Sequence, residues 1–257
     1  MGAFIAVEQV TKVYESKAGP VHALGPLDLS VGAGEFVAIV GPSGCGKSTL
    51  LLLVAGLVDC TAGTITVAGS RVLGPRTDIG IVFQTPALAE WRDVLGNVLL
   101  QVEMRGQRAG DYLQRARELL AAVGLAEFDR RLPFELSGGM QQRTAFCRAL
   151  VHDPPLVLMD EPLGALDALT RDQLRTDLER LWMDSGKTVL FVTHSITESV
   201  QLADRVIVMS PRPGMIDRVV RIDLPRPRTI DVREGPPFQH YVHDITDIFF
   251  RRGVLTQ

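Results

Sequence analysis

Short runs of aliphatic and β-branched residues recur along the chain, each closed by glycine, proline or polar residues. Residues 36–40, 79–83, 156–159, 188–192 and 205–209 have the length and composition of strands covered on both faces. Residues 4–14 alternate loosely and predict a strand; 27–31 predict another after a turn at Gly25-Pro26, and 64–67 a further one. The run 49–56 reads as a helix stopped by Gly56. From about 94 to 151 the pattern turns helical. Leu113, Ala116, Leu120 and Val123 fall at i, i+3, i+7 and i+10, one helix face ended by Gly124. A strand signal returns only at 156–159, after Pro154-Pro155, and is followed by a helix over about 168–184 closed by Gly186. Residues 211–257 are rich in proline and arginine at first and apolar around 245–250, and no internal repeat is present.

Strands alternating with helices predict an α/β class with a largely parallel sheet and right-handed crossovers. The expected layout is one domain over 1–257, with an antiparallel β portion near the N-terminus, a helical subdomain at about 85–153 and a tail at about 211–257. At 257 residues, one such domain with an inserted subdomain is accommodated. The 46% hydrophobic and 22% charged residues are ordinary for a soluble globular chain, and a net charge of −3 gives no general affinity for nucleic acid or acidic lipid. The longest apolar run, 50–58, is broken by Gly56 and falls far short of the ~20 residues that span a bilayer. No basic stretch followed by an apolar core opens the chain, so no signal peptide is expected, and Ala6 breaks the myristoylation pattern after Gly2. Three scattered cysteines suit a reducing compartment and give no zinc spacing.

The stretch Gly41-Pro42-Ser43-Gly44-Cys45-Gly46-Lys47-Ser48-Thr49 adds chemistry to the fold. It matches G-x-x-x-x-G-K-[ST] and lies between a predicted strand and a predicted helix, where that motif works. Its glycines let backbone N–H groups curl around phosphate oxygens at a helix N-terminus. Lys47 is expected on the β- and γ-phosphates, and the Ser48 hydroxyl on Mg²⁺. Cys45 lies where a thiolate is favoured, although a small packing residue is the simpler reading. Cys60 and Cys147 read as packing residues.

The strand at 156–159 ends in Asp160-Glu161. Asp160 is expected in the Mg²⁺ shell near Ser48, and Glu161 positioning or deprotonating the attacking water. Ser137-Gly138-Gly139 opens a helix with a serine and two glycines, a second anion-binding start. One phosphate loop needs no second such start for its own nucleotide, so this one is expected to serve the ATP of another molecule.

The Ser-Gly-Gly stretch, Gln84 after a strand, Asp160-Glu161, Ala165-Leu166-Asp167 and His194 after a strand occur in one order. Together they resemble the ATP-binding subunit of an ABC transporter, over about residues 4–227. That resemblance implies a P-loop NTPase of the ABC type in which two copies sandwich two ATP molecules. It places Tyr14 against adenine, Gln84 on Mg²⁺ and as a sensor of the γ-phosphate, His194 on that phosphate and Asp167 at the dimer seam. Met140 departs from the glutamine more usual in the signature, which bears on subgroup and fine tuning. Residues 161–171, Arg212-Pro213-Gly214 and the stretch 224–228 are similar to the importer group for nitrate, sulfonate and taurine. The chain stops soon afterwards, leaving no room for the regulatory domain of sugar and polyamine importers.

The implied partners are a second copy, an integral permease and, through it, a solute-binding protein, at the cytoplasmic face of the inner membrane. Within 85–92, Trp91 and Arg92 are expected in a groove that takes a short permease helix, with packing of Trp91 between two lobes as the alternative. The rival class is a soluble ABC ATPase acting in DNA repair, on ribosomes or in iron–sulfur assembly. Its two-cassette and coiled-coil forms are excluded by length, and a nucleic-acid partner is not expected. A GTPase is disfavoured because Asn97, the sole asparagine, precedes valine and leaves no Asn-Lys-x-Asp.

Overall fold

The structure, a computed structural model, describes residues 2–164 and 166–254. In chain order the elements are β1 (Ile5–Tyr14), β2 (Val21–Val31), β3 (Phe36–Val40), α1 (Lys47–Val54), β4 (Ala62–Val67), β5 (Ser70–Arg71) and β6 (Ile79–Val82). Then come α2 (Val94–Met104), α3 (Leu113–Ala122), α4 (Gly138–Leu150), β7 (Leu156–Asp160), α5 (Ala168–Ser185), β8 (Thr188–Val192) and α6 (Ile196–Leu202). The chain finishes with β9 (Arg205–Met209), β10 (Ile216–Arg221), α7 (Ile230–Glu234) and α8 (Pro236–Arg251). Contacts divide it into two compact units, one built from the segments up to Arg76 and from Thr188 onward, the other from Thr77–Lys187.

The first unit holds an antiparallel sheet in the order β2-β1-β4-β5. It also holds β3 between parallel neighbours β8 and β9, with β10 antiparallel to β9. All five residues of β3 are buried, which is why that run carries no polar alternation. The expected turn at Gly25-Pro26 does not form; β2 runs straight through it. Pairing with β1 shifts register between Val10↔Leu27 and Lys12↔Leu24, so Pro26 sits at an irregularity where its missing N–H costs no ladder bond. Helix α1 starts at Lys47, two residues before the apolar run.

The tail carries more structure than its composition suggested: β10, α7 and α8. Phe238, Ile245 and Phe249 on α8 are buried, and this helix packs against α6. Between them runs a proline–arginine strap. Arg228 is 2% exposed and donates to the carbonyls of Val200 at 2.7 Å, Gln201 at 3.2 Å and Ala203 at 2.7 Å, which are orphan acceptors at the end of α6. Arg226 donates to Leu202 O at 2.7 Å and Asp204 Oδ1 at 2.9 Å, while the other oxygen of Asp204 accepts from Phe36 N at 2.9 Å.

The second unit holds the parallel pair β6 and β7 and the helices α2 to α5. Its core gathers Val94, Val98 and Val102 of α2, Ala116 and Leu120 of α3, Val123, Leu125, Leu136 and Cys147, with Leu113 packed against it at partial burial. The helix face predicted from Leu113, Ala116, Leu120 and Val123 is thus the face that packs. The Cys147 thiol is pushed up to about 12 by burial, so it is an inert packing group.

Candidate functional site

In the first unit the phosphate-loop residues leave the carboxyl end of β3 and enter α1. Gly46 is the N-cap of α1 with φ 101° and no side chain caps the helix, so its first N–H groups keep no partner within the helix. Gly44 also has positive φ, 74°, and two left-handed glycines so close together curl the backbone into a cradle. At Gly46 even a Cβ would come within 2.8 Å of Ala23 O, and at Gly41 within 2.8 Å of Cys45 Sγ. Lys47 is 5% exposed, and its Nζ donates to Gly41 O at 2.9 Å and Pro42 O at 3.0 Å. Ser43 is exposed; Pro42, Ser48 and Thr49 are half-buried. Cys45 is buried at 1% exposure and its thiol is pushed up by that burial, against the lowering effect of Lys47. The packing reading of Cys45 therefore stands over the thiolate reading.

Two predicted residues share this unit with the loop. Tyr14 ends β1 at 36% exposure, and Lys12 Nζ lies 4.8 Å from its ring centroid while also donating to Asp59 O at 2.7 Å. His194 is exposed just beyond β8, the parallel neighbour of β3, so its loop leaves the same end of the sheet as the phosphate loop. That corner is fixed on both sides. Thr193 N donates to Ile39 O at 3.1 Å, Thr193 Oγ1 to Glu198 Oε2 at 2.6 Å, and Ser195 caps α6 through Glu198 N.

Sequence reasoning missed a third contributor. The turn between β9 and β10 meets the loop through Arg212, whose Nε and Nη2 donate to Gly44 O at 3.1 and 3.0 Å. The sequence marked Arg212-Pro213-Gly214 only as a likeness to the importer group, not as a contact of the loop.

In the second unit, β7 is buried until Asp160, which is half-buried at its end. Glu161 follows with φ 45°, a left-handed backbone rarely taken by a residue with a side chain and often found at functional sites. Gln84 is exposed just after β6, beside Phe83, whose carbonyl accepts from Gln142 Nε2 at 3.1 Å. Ser137 caps α4, accepting from Met140 N at 3.3 Å, which leaves the hydroxyl proton free to donate. Gly138 has nothing within 4 Å of a would-be Cβ, whereas a Cβ on Gly139 would meet Thr170 Cγ2 at 2.3 Å. Space therefore lies open beside Gly138, whereas the bare Cα of Gly139 lets α4 lie against α5. Asp167 caps α5 at Thr170 N, 3.0 Å away, and that backbone bond holds its carboxyl below the usual range. Ala165 of the same motif lies outside the described residues.

Trp91 is 82% exposed. Arg92 is paired with Glu103 at 2.7 Å. Met104 and Phe134 in the same unit are exposed at 78% and 72%. No helix of the described residues is long and apolar enough to cross a membrane.

The ABC transporter family model matches residues 24–164. An ABC transporter ATP-binding protein of Methanocaldococcus jannaschii is 47% identical over 224 residues, covering 87% of this chain and 84% of its own. The taurine import ATP-binding protein TauB of Jannaschia sp. is 45% identical over 219 residues, covering 85% and 82%. Among solved structures, a dimeric post-hydrolysis ATP-binding cassette bound to ADP and Pi is similar with a TM-score of 0.75 and 33% identity, covering 85% of this chain and 98% of that one. The loop, the serine-capped second helix start and these relatives agree: the chain is a member of the ABC transporter family, with the mixed α/β fold of its ATP-binding cassettes.

Proposed function

We propose that this chain is the ATP-hydrolysing subunit of an importer for a small solute of the taurine, sulfonate and nitrate class. The observation that carries the reading is one chain with two anion-ready helix starts, at Gly46–Lys47 and at Ser137, in a family whose relatives include taurine import ATP-binding proteins. Residues 41–49 hold the phosphates of the chain's own ATP, with Tyr14 against adenine. Ser137, Gly138 and Gly139 complete the ATP site of a second copy, and Asp167 lies at the seam between copies. Glu161 acts as general base on the attacking water, with His194 and Gln84 on the γ-phosphate side.

Mg²⁺ fits the donor set. The Ser48 hydroxyl, the Gln84 amide oxygen and one carboxylate, Asp160, are hard oxygen ligands too few to enclose a metal, the kind of set Mg²⁺ uses when phosphate oxygens and waters complete its shell. Among the described residues no cluster of three His, Cys, Asp or Glu could hold a metal alone. When bound, the ion neutralises charge on the β- and γ-phosphates.

The subunit works at the cytoplasmic face of the membrane against a separate permease, which receives solute from a binding protein. Exposed Trp91 supplies the aromatic anchor for a permease helix, in keeping with the part Trp plays in interface hot spots. The test is to express the tagged chain in its host, fractionate the membranes and identify any integral protein that co-purifies. Recovery with a polytopic permease, lost in Trp91→Ala, supports the reading; recovery only in the soluble fraction would favour a role apart from transport.

A further inference from the structure

We propose that Arg212 is a positioning residue for nucleotide binding, holding the phosphate loop in its anion-ready shape from the outside. The proposal rests on residues 41–49 being the nucleotide's phosphate site. It starts from one contact. Nε and Nη2 of one guanidinium converge on a single backbone carbonyl, Gly44 O, at 3.1 and 3.0 Å. The bond is charge-assisted, and the planar fork fixes direction as well as distance.

Gly44 is the right place to hold. Its left-handed φ of 74°, with 101° at Gly46, makes the cradle, yet glycine is the residue with most freedom to leave such a shape. In a trans peptide the carbonyl and the following N–H point to opposite edges. Anchoring Gly44 O on Arg212 therefore turns Cys45 N–H to the other edge, where it meets Pro42 O at a long 3.3 Å. An anionic phosphate oxygen is a stronger acceptor than that carbonyl and can take the N–H over.

The turn that presents Arg212 is itself fixed. Ser210 and Met215 close it through N–H to carbonyl at 2.9 Å and Met215 N to Ser210 Oγ at 3.1 Å. Gly214 ties it to β2, donating to Ala23 O at 3.0 Å and accepting from Gly25 N at 3.1 Å. Its backbone also presses on the loop: a Cβ at Gly214 would stand 1.9 Å from Cys45 O. The loop segment 44–46 thus has β2 against Gly46 and the 212–214 turn against Gly44 and Cys45, all within one compact unit. Binding then needs less ordering of a glycine-rich loop, and affinity rises by the ordering cost removed.

The full chain with Arg212→Gln tests this. Expected is a roughly tenfold rise in the Kd for ADP by fluorescence titration and in KM for ATP, with kcat at saturating ATP within about twofold, the pattern of lost uniform binding. Arg212→Lys, which keeps the charge and one donor on the carbonyl, should recover part of the affinity. The melting temperature without nucleotide should stay within about 2 °C, since an exposed contact contributes little to global stability. Wild-type affinity in Arg212→Gln overturns the proposal, and so does a large fall in that melting temperature, which would make the contact structural. Lys47→Ala runs beside it. If that variant also binds ADP normally, the phosphate-loop reading itself fails; if it loses binding while Arg212→Gln does not, only the role of Arg212 does.

Discussion

The ammonium of Lys47 lies 2.9 Å from Gly41 O and 3.0 Å from Pro42 O, so the loop's own carbonyls hold the cation proposed to meet the phosphates. An ammonium has three protons; two carbonyls take two and one is left for a phosphate oxygen. Lys47→Ala removes that donor and its charge. The expected result is ATP affinity weakened roughly 10- to 100-fold, the range for a hydrogen bond to a charged group. A titration giving wild-type affinity would take Lys47 out of the site.

Glu161→Gln keeps size and one accepting oxygen but removes the base. Phosphate release should fall by ~10²–10⁴-fold while ATP still binds. The ATP-loaded variant should then dimerise, and the ADP-loaded one should not, because in the proposed sandwich the γ-phosphate is what two copies share. Adding Ser137→Arg should abolish that dimer by crowding and desolvating a charge at the cap of α4. Elution profiles indifferent to ATP at high protein concentration would count against the sandwich.

Gly139 makes a prediction about packing. An alanine methyl there would stand 2.3 Å from Thr170 Cγ2, so Gly139→Ala should destabilise the chain by roughly 1–3 kcal/mol, as overpacking does. Thr170→Ser deletes the clashing methyl and should return most of the loss. Urea midpoints of the two single variants and the double variant measure the coupling; simple additivity would mean that the two helices do not meet through this pair.

His152 should make stability depend on pH. Burial first, then the Arg105 charge, pushes its imidazolium down from an ordinary 6.5 to about 4. The unfolded chain takes up a proton there near pH 6.5, and the folded chain only near 4. Stability should therefore fall as pH drops through that window and be unaffected by this group above it. His152→Gln should flatten the urea midpoint against pH between about 4 and 6.5; an unchanged slope would assign the dependence to other groups.

What could be read from the sequence was contiguous. Residues 36–54 spell a buried strand, a glycine-rich loop and a helix within one short stretch, so pattern and chemistry point to the same place. The strand that ends at Asp160 and the helix that opens at Ser137 were visible for the same reason: each is marked by its immediate neighbours. The contact between Arg212 and Gly44 was hidden because the two are 168 residues apart, and nothing local to either encodes it. Gly139 was legible as part of the Ser137-Gly138-Gly139 helix start, but its close approach to Thr170 on another helix was not. Gly25-Pro26 looked like a turn because the bulge that accommodates the proline is a property of pairing with β1.

Arg228 closes the end of a helix that lies well behind it in the chain: Val200, whose carbonyl it caps, is 28 residues upstream. A chain made from its N-terminus exposes residues 196–202, with the corner that carries His194 just before them, while the arginine that completes their last turn is still to be added. During synthesis, then, the nucleotide loop can form before the helix next to His194 has its final acceptors satisfied. The last turn of that helix is therefore completed only once residue 228 has been made.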